Sequence, residues 1–483
     1  MPKPNLLYIF TDQQRADTLA CYGNDLIETP ALDGLAAKSC VFDNAYVSQP
    51  VCSPARATML TGRWPHTAGV SSCNVPLAAG VPTFAELLPA EYQTAFMGKW
   101  HLGDEIFPQH GFDEWVGTED SYRHSYSSAE RLETLSPYHH FLVENGFEPD
   151  SENQGQRVFS RHFEASLDEP YTKATYLGER AADYIRASGD EPFALCVSYL
   201  EPHPPHTGPL DDYYDPAGLP TGPGFMRLPP PDAPLIVRLM AAFYMASENY
   251  GLDLRTDAGW RALMARYWGN VSLVDRSVAK ILQALEESGK AGDTVVVFTS
   301  DHGEQMGDHG ILGKTLMYEE SVRVPLLIRA PTLGPRRIDG NFSHIDLVPT
   351  LMDLMGLETD AGMQGQSRVP VLRGEADLAD NDVFVQWNGA DGHPRPSIGE
   401  AEPNRSLVHP LRTVISAERW KLNLYGQSAH GPDQGELYDL NADPHELENL
   451  YHRPEHAGRV RQLTEKIRAW QKSCGDEAVL PEA

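Results

Sequence analysis

Cys52-Ser53-Pro54-Ala55-Arg56-Ala57-Thr58-Met59-Leu60-Thr61-Gly62 is the stretch on which the reading of the chain turns. Pro54 fixes its own φ and pushes Ser53 away from helical angles. The expectation is a turn that presents Cys52, with a helix beginning at about Ala55. The positive end of that helix and Arg56, one turn along, both favour an anion beside Cys52. Taken alone, a free cysteine at a helix start is usually packing. The rest of the chain gives this one more to do.

Upstream, residues 5–11 form a short apolar run that ends in Asp12-Gln13-Gln14-Arg15. The run does not alternate, as expected of a central parallel strand buried on both faces. Asp12 then falls where α/β sheets hold ligands, at a strand's carboxyl end, or else caps the next helix. Residues 29–35 read as a helix with Pro30 in its first turn, and 40–46 as a second strand.

Downstream, 83–88 reads as a helix and 92–97 as a strand ending in Gly98-Lys99-Trp100-His101-Leu102-Gly103. Periodicity fades over 120–164, and loops of that length are functional or mobile. A helix over 171–187 is followed by a buried strand over 193–200, which runs into Glu201-Pro202-His203-Pro204-Pro205-His206. The Pro/Gly-rich 207–234 has the look of an insertion. Leu263, Tyr267, Val271, Val274, Val278, Ile281 and Leu285 recur at helical spacing until Gly289. The clearest buried strand, 294–299, ends in Ser300-Asp301-His302-Gly303-Glu304, with Gly313-Lys314 beyond. A strand over 324–328 and a helix over 343–354 follow.

After about residue 375 the segments become short and β-prone, at 383–387, 412–416 and 420–424, and a charged helix over 455–472 closes the chain. The fold class expected is α/β: a large, mostly parallel sheet flanked by helices, with a smaller C-terminal antiparallel sheet and helix. The division is a catalytic domain over 1–375 and an α+β subdomain over 376–483.

The 483 residues carry 39 basic and 68 acidic side chains, a net charge of −29. That argues against nucleic acid or an anionic membrane as partner and makes any anion site a local basic pocket. The six cysteines, 21, 40, 52, 73, 196 and 474, have no zinc-type spacing and read as reduced thiols. No signal-peptide pattern or membrane span is visible, so the expected location is cytoplasmic.

Strand ends thus present Asp12-Gln13, Cys52/Arg56, Lys99/His101, His203, Asp301-His302 and Lys314 in one order. The order resembles that of the type I sulfatases of the alkaline phosphatase superfamily, and Cys-x-Pro-x-Arg with the trailing Leu-Thr-Gly resembles their signature. The resemblance continues through Glu436-Leu437-Tyr438-Asp439-Leu440 and Asp443-Pro444. It implies that Cys52 becomes formylglycine (3-oxoalanine), made by a maturase, and acts as the nucleophile. It implies that Arg56 holds the hydrated aldehyde and that Asp12, Gln13, Asp301, His302 and residue 52 bind one divalent cation. Lys99, Lys314 and His203 would clamp sulfate, His101 would act as base on residue 52, and His203 or Lys314 would protonate the leaving oxygen. The expected ion is calcium, with manganese or magnesium as alternatives. The substrate expected is a small sulfate monoester touched by the 120–164 and 207–234 excursions, and a homo-oligomer is open. Asp12-Gln13 with Asp301-His302 departs from the commoner Asp-Asp and Asp-Asn pairs and resembles choline sulfatases and phosphonate monoester hydrolases. Phosphonate or phosphodiester cleavage is therefore the runner-up, and a silent sulfate-binding member is a third reading.

Overall fold

The computed structural model describes residues 3–389, 410–426 and 435–481. A nine-stranded sheet runs through the larger part of the chain. Its strands are β1 (Asn5–Asp12), β2 (Cys40–Tyr46), β3 (Gln93–Gly98), β4 (Glu114–Gly117), β5 (Phe193–Pro202), β6 (Thr294–Ser300), β7 (Arg323–Val324), β8 (Leu326–Arg329) and β9 (Arg336–Ser343). β1 lies centrally, parallel to β6 on one side and β5 on the other, and β3 and β4 extend the β5 side in parallel. Beyond β6, the antiparallel β8 leads to β2, which pairs in parallel with β9. Pro325 splits what reads as one strand over 324–328, because it has no N–H to give the ladder.

Alternation along the buried strands sends side chains to two separate cores. Leu7, Ile9, Leu195, Val197, Val296 and Phe298 pack on one face against α1 (Pro30–Ala36), α3 (Lys173–Ala187) and α4 (Asp257–Glu287). Leu6, Tyr8, Phe10, Val295 and Val297 pack on the other, against α2 (Cys52–Thr61) and α5 (Leu347–Leu354). Helices on both faces explain why these strands read as continuous apolar runs. α3 and α4 approach so closely at Gly178 that a Cβ there would lie 2.2 Å from Ser277 Oγ.

Other expectations are adjusted in detail. The helix over 83–88 is a 3-10 turn, Phe84–Leu87, opened by a capping box from Thr83 and Glu86. The 120–164 excursion is built: it holds the helix Pro137–Glu144, a two-stranded ribbon and a small aromatic core around Tyr138, Phe159 and Tyr176.

The four-stranded antiparallel sheet, β10 (Val383–Trp387), β11 (Leu411–Ile415), β12 (Trp420–Tyr425) and β13 (Gly435–Asp439), packs Leu422, Leu424 and Leu437 on α6 (Ala457–Cys474). It is tied to the large sheet by buried charge. Lys421 Nζ on β12 lies 2.8 Å from Glu446 and 3.1 Å from Glu319, just beyond the loop that carries Lys314. Lys421→Met is expected to cost about 3–5 kcal/mol in urea unfolding, because buried Glu446 loses its cation and Glu319 keeps only Arg323 and Arg419, at 3.5 and 3.6 Å. An unchanged midpoint would show that the tie does not matter to stability. Among the described residues no helix is long and apolar enough to cross a membrane.

Candidate active site

Parallel strands put their carboxyl ends on one edge, and β1 is where the chain turns to opposite sides of the sheet. Asp12, Lys99, His203 and Asp301 all stand at that edge, one on or just after each of β1, β3, β5 and β6. Gly98 makes the β3 exit possible: its φ is +109°, and a Cβ there would sit 1.9 Å from the Ser198 carbonyl oxygen.

Cys52 differs from expectation in two ways. It is the first residue of α2, which starts here and not at Ala55, and it is only 2% exposed. Pro54 falls in the first helical turn, where its missing N–H would have had no partner, so Ser53 is drawn into the helix despite the proline. Burial would raise the Cys52 thiol. The hydrogen bond with Cys73 and the charges of Lys314 and Lys99 outweigh it and hold the thiol well below its usual range. Its Sγ is 3.4 Å from Lys314 Nζ, 3.3 Å from His302 Nε2 and 3.6 Å from Asp12 Oδ1.

Arg56 is fully buried and does not reach for an anion beside Cys52. Nε donates to Asp301 at 2.8 Å, Nη2 to Asp12 at 3.0 Å, and Nη1 to the Lys99 carbonyl at 2.6 Å and Ser198 Oγ at 2.8 Å. One N–H remains, so Arg56 fixes the two carboxylates more than it can hold a substrate group. Lys99 Nζ donates to Asp12 Oδ2 at 2.6 Å. Burial opposes charge on Asp12, but the charges of Lys99 and Lys314 keep its carboxylate far below the ordinary range. Burial and then Asp12 push Asp301 up to about 6.

One ligand atom from each of Asp12, Cys52, Asp301 and His302 lies within 4.8 Å of the others. His302 Nδ1 donates to the Gly303 carbonyl at 3.0 Å, so the lone pair of Nε2 is left for this cluster. Two carboxylates and an oriented imidazole fit a divalent cation. Gln13 stands beside the cluster with φ +72°, its Oε1 accepting from Lys314 and its Nε2 donating to Glu304.

A cavity of about 540 Å³ opens from this cluster, lined at its base by Gln13, Cys52, Cys73, His101, His203 and Lys314. Burial and then Lys314 lower His203 to about 3, and its Nδ1 donates to the Pro204 carbonyl at 2.8 Å. A neutral His203 therefore offers Nε2 as an acceptor. Burial and then Lys99 lower His101 to about 4, while Lys314, opposed by burial but facing Cys52 and Asp12, is held charged.

Much of the remaining cavity wall comes from outside the 120–164 and 207–234 segments expected to touch substrate. Phe243, Tyr244, Ser247, Asn249 and Tyr250 form it, from the end of helix Leu235–Tyr244 and the turn after it. The 207–234 segment instead packs against Gly307–Asp308 through Met226 and Phe225, and 120–164 contributes Tyr122, whose ring stacks on His101 at 4.0 Å. Sequence reasoning missed Asn74, Cys73, Glu105, Tyr122 and Glu304. Only Glu304 had a signal, its place directly after Asp301-His302-Gly303.

Comparison with known proteins agrees with this geometry. Residues 4–357 match the Sulfatase family, and 307–473 match the C-terminal region of the N-sulphoglucosamine sulphohydrolases. The chain is 30% identical to the sulfatase YidJ of Escherichia coli (strain K12), over 93% of this chain and 83% of that one. It is 29% identical to a choline-sulfatase of Rhizobium meliloti (strain 1021), over 99% and 89%. The crystal structure of a phosphonate monoester hydrolase of Agrobacterium radiobacter superposes with a TM-score of 0.75 at 25% identity, covering 98% of this chain and 96% of that one.

Proposed function

The chain belongs to the sulfatase family and is a hydrolase acting on sulfate esters, and we propose that it cleaves a small sulfate monoester of an aryl alcohol, choline or a sugar. The observation that carries this reading is the meeting of two charged lysines, Lys99 and Lys314, on Asp12 beside residue 52. They supply fixed positive charge where a sulfate ester gains negative charge in the transition state. A maturase is proposed to convert Cys52 to formylglycine, whose hydrated aldehyde supplies a nucleophilic oxygen and a second hydroxyl through which sulfate is later released. A divalent cation held by Asp12, Gln13, Asp301, His302 and residue 52 would supply further positive charge at the sulfate oxygens. Calcium is the first expectation from the oxygen donors, and His302 is the donor that would suit manganese.

The chain's own groups divide the remaining work. Lys99 and Lys314 grip sulfate, Arg56 locks Asp12 and Asp301, and His101 takes the proton from residue 52. Of the two candidates for the leaving-group proton, Lys314 is favoured: it is charged, whereas neutral His203 presents a lone pair. Lys314→Gln should therefore slow alkyl sulfates roughly 10²-fold more than activated aryl sulfates, whose leaving oxygen scarcely needs a proton. His203→Ala should slow both alike, and the reverse pattern in turnover assays would return the acid role to His203.

A panel of aryl sulfates, choline sulfate, sulfated monosaccharides and a phosphonate monoester tests the reading. Fastest turnover of the phosphonate would establish the second reading, which the pairing of Gln13 with Asp301-His302 favours. A cytoplasmic location is proposed on the six unpaired thiols. With a net charge of −29 the body should repel long polyanions, so a sulfated monosaccharide is expected to turn over faster than the polysaccharide that contains it. Faster release of sulfate from intact polymer would overturn that size preference.

A further inference from the structure

His101 is held by an unusually complete frame. Its backbone is left-handed, with φ +60°, a conformation that costs a non-glycine residue about 1–2 kcal/mol. The carboxylate of Glu105 accepts from the N–H of Trp100 and of His101, each at 2.7 Å. Ser53, the residue after Cys52, donates from Oγ to the His101 carbonyl at 2.8 Å. Tyr122 covers one face of the ring.

The two ring nitrogens are treated differently. Nε2 lies 2.8 Å from Asn74 Oδ1, whereas Nδ1 is buried with no hydrogen-bond partner among the described groups. Asn74 is itself fixed: its N–H donates to Ser53 Oγ at 3.1 Å, and its φ is +65°. Ser53, next to residue 52, thus ties His101 and Asn74 into one closed set. Cys52 and His101 line the same cavity, so the unpartnered nitrogen is the one available to residue 52.

We propose that Asn74 is a positioning residue that keeps His101 protonated on Nε2, so that Nδ1 carries the lone pair offered to residue 52. The inference rests on the sulfate-ester reading and deepens it. Nδ1 takes the proton of the second hydroxyl on residue 52; the electron pair left on that oxygen forms the carbonyl while the carbon–oxygen bond to sulfate breaks and sulfate departs. A histidine protonated on Nδ1 would present a hydrogen there and could not accept. Wrong-tautomer imidazole is a known way to lose general-base catalysis with the site otherwise intact.

The test reads the imidazole nitrogens of His101 by ¹⁵N NMR in protein that keeps Cys52, the signal being identified by its loss in His101→Gln. The expected state is protonated Nε2 and bare Nδ1. Asn74→Gly removes the side chain while glycine accepts the left-handed backbone, and the two tautomers should then mix. Asn74→Asp keeps an acceptor oxygen and should restore the single tautomer. In protein converted at residue 52, Asn74→Gly should lower kcat and KM together by roughly 10- to 100-fold, leaving kcat/KM within about twofold, because only the release step is slowed. Sulfate retained on the protein should then be visible by intact mass. A single Nε2–H tautomer surviving in Asn74→Gly, or Asn74→Asp as impaired as Asn74→Gly, overturns the assignment. The NMR measurement needs no turnover. A chain that hydrolyses no ester would sink the functional reading and leave the tautomer result standing.

Discussion

Cys52→Ala is expected to lose turnover of every sulfate ester by on the order of 10⁴-fold or more, the scale on which a covalent nucleophile is missed. The fold should survive. Cys52 is buried, but alanine removes a single sulfur from the lining of a cavity, and a loss of that size costs about 1 kcal/mol. Arg56 keeps its bonds to Asp12 and Asp301, so no buried charge is orphaned by the change. The check is turnover of an aryl sulfate beside thermal unfolding followed by circular dichroism. Native-like unfolding with full activity would remove residue 52 from the mechanism. The same conclusion would follow from an active wild-type preparation whose residue-52 peptide is shown by mass to keep its thiol.

Removing the divalent cation should cost activity roughly 10³-fold, since a Lewis acid of this kind supplies several kcal/mol of transition-state charge stabilisation. Stability should change little. Asp12 already has Lys99 and Arg56, and Asp301 has Arg56, so neither carboxylate becomes an uncompensated buried charge when the ion leaves. Elemental analysis of protein purified without added metal, then chelation and add-back, reads both effects. Calcium should restore turnover. Recovery with manganese alone would instead make His302 Nε2 the deciding donor and would strengthen the phosphonate reading.

What could be read from the sequence divides along physical lines. Strands buried on both faces announce themselves as unbroken apolar runs, and in a parallel sheet their carboxyl ends must share an edge. The placing of Asp12, Lys99, His203 and Asp301 follows from that alone. The start of α2 was misplaced because a proline at the third helical position looks, by its effect on Ser53, like a proline before a helix. Asn74 and Glu105 had no signal at all: each acts by a hydrogen bond across a loop, and no periodicity encodes a loop's path. The cavity wall from Phe243 to Tyr250 was hidden for a related reason. A helix end and a tight turn carry no pattern that says which cavity they face.

The buried tie between Lys421 and Glu319 sets a rule for recombining such enzymes. Lys314 and Glu319 lie five residues apart on one connection, and the far end of that connection is gripped by the small sheet. A chimaera that takes the large sheet from one parent and the terminal sheet from another would therefore exchange the anchor of Lys314, the lysine proposed to hold sulfate. Crossovers made after β9 need Lys421, Glu446 and Glu319 to come from compatible parents, or the hybrid would fold around a misaimed Lys314. Substrate preference in such hybrids is expected to track the terminal sheet as well as the large one.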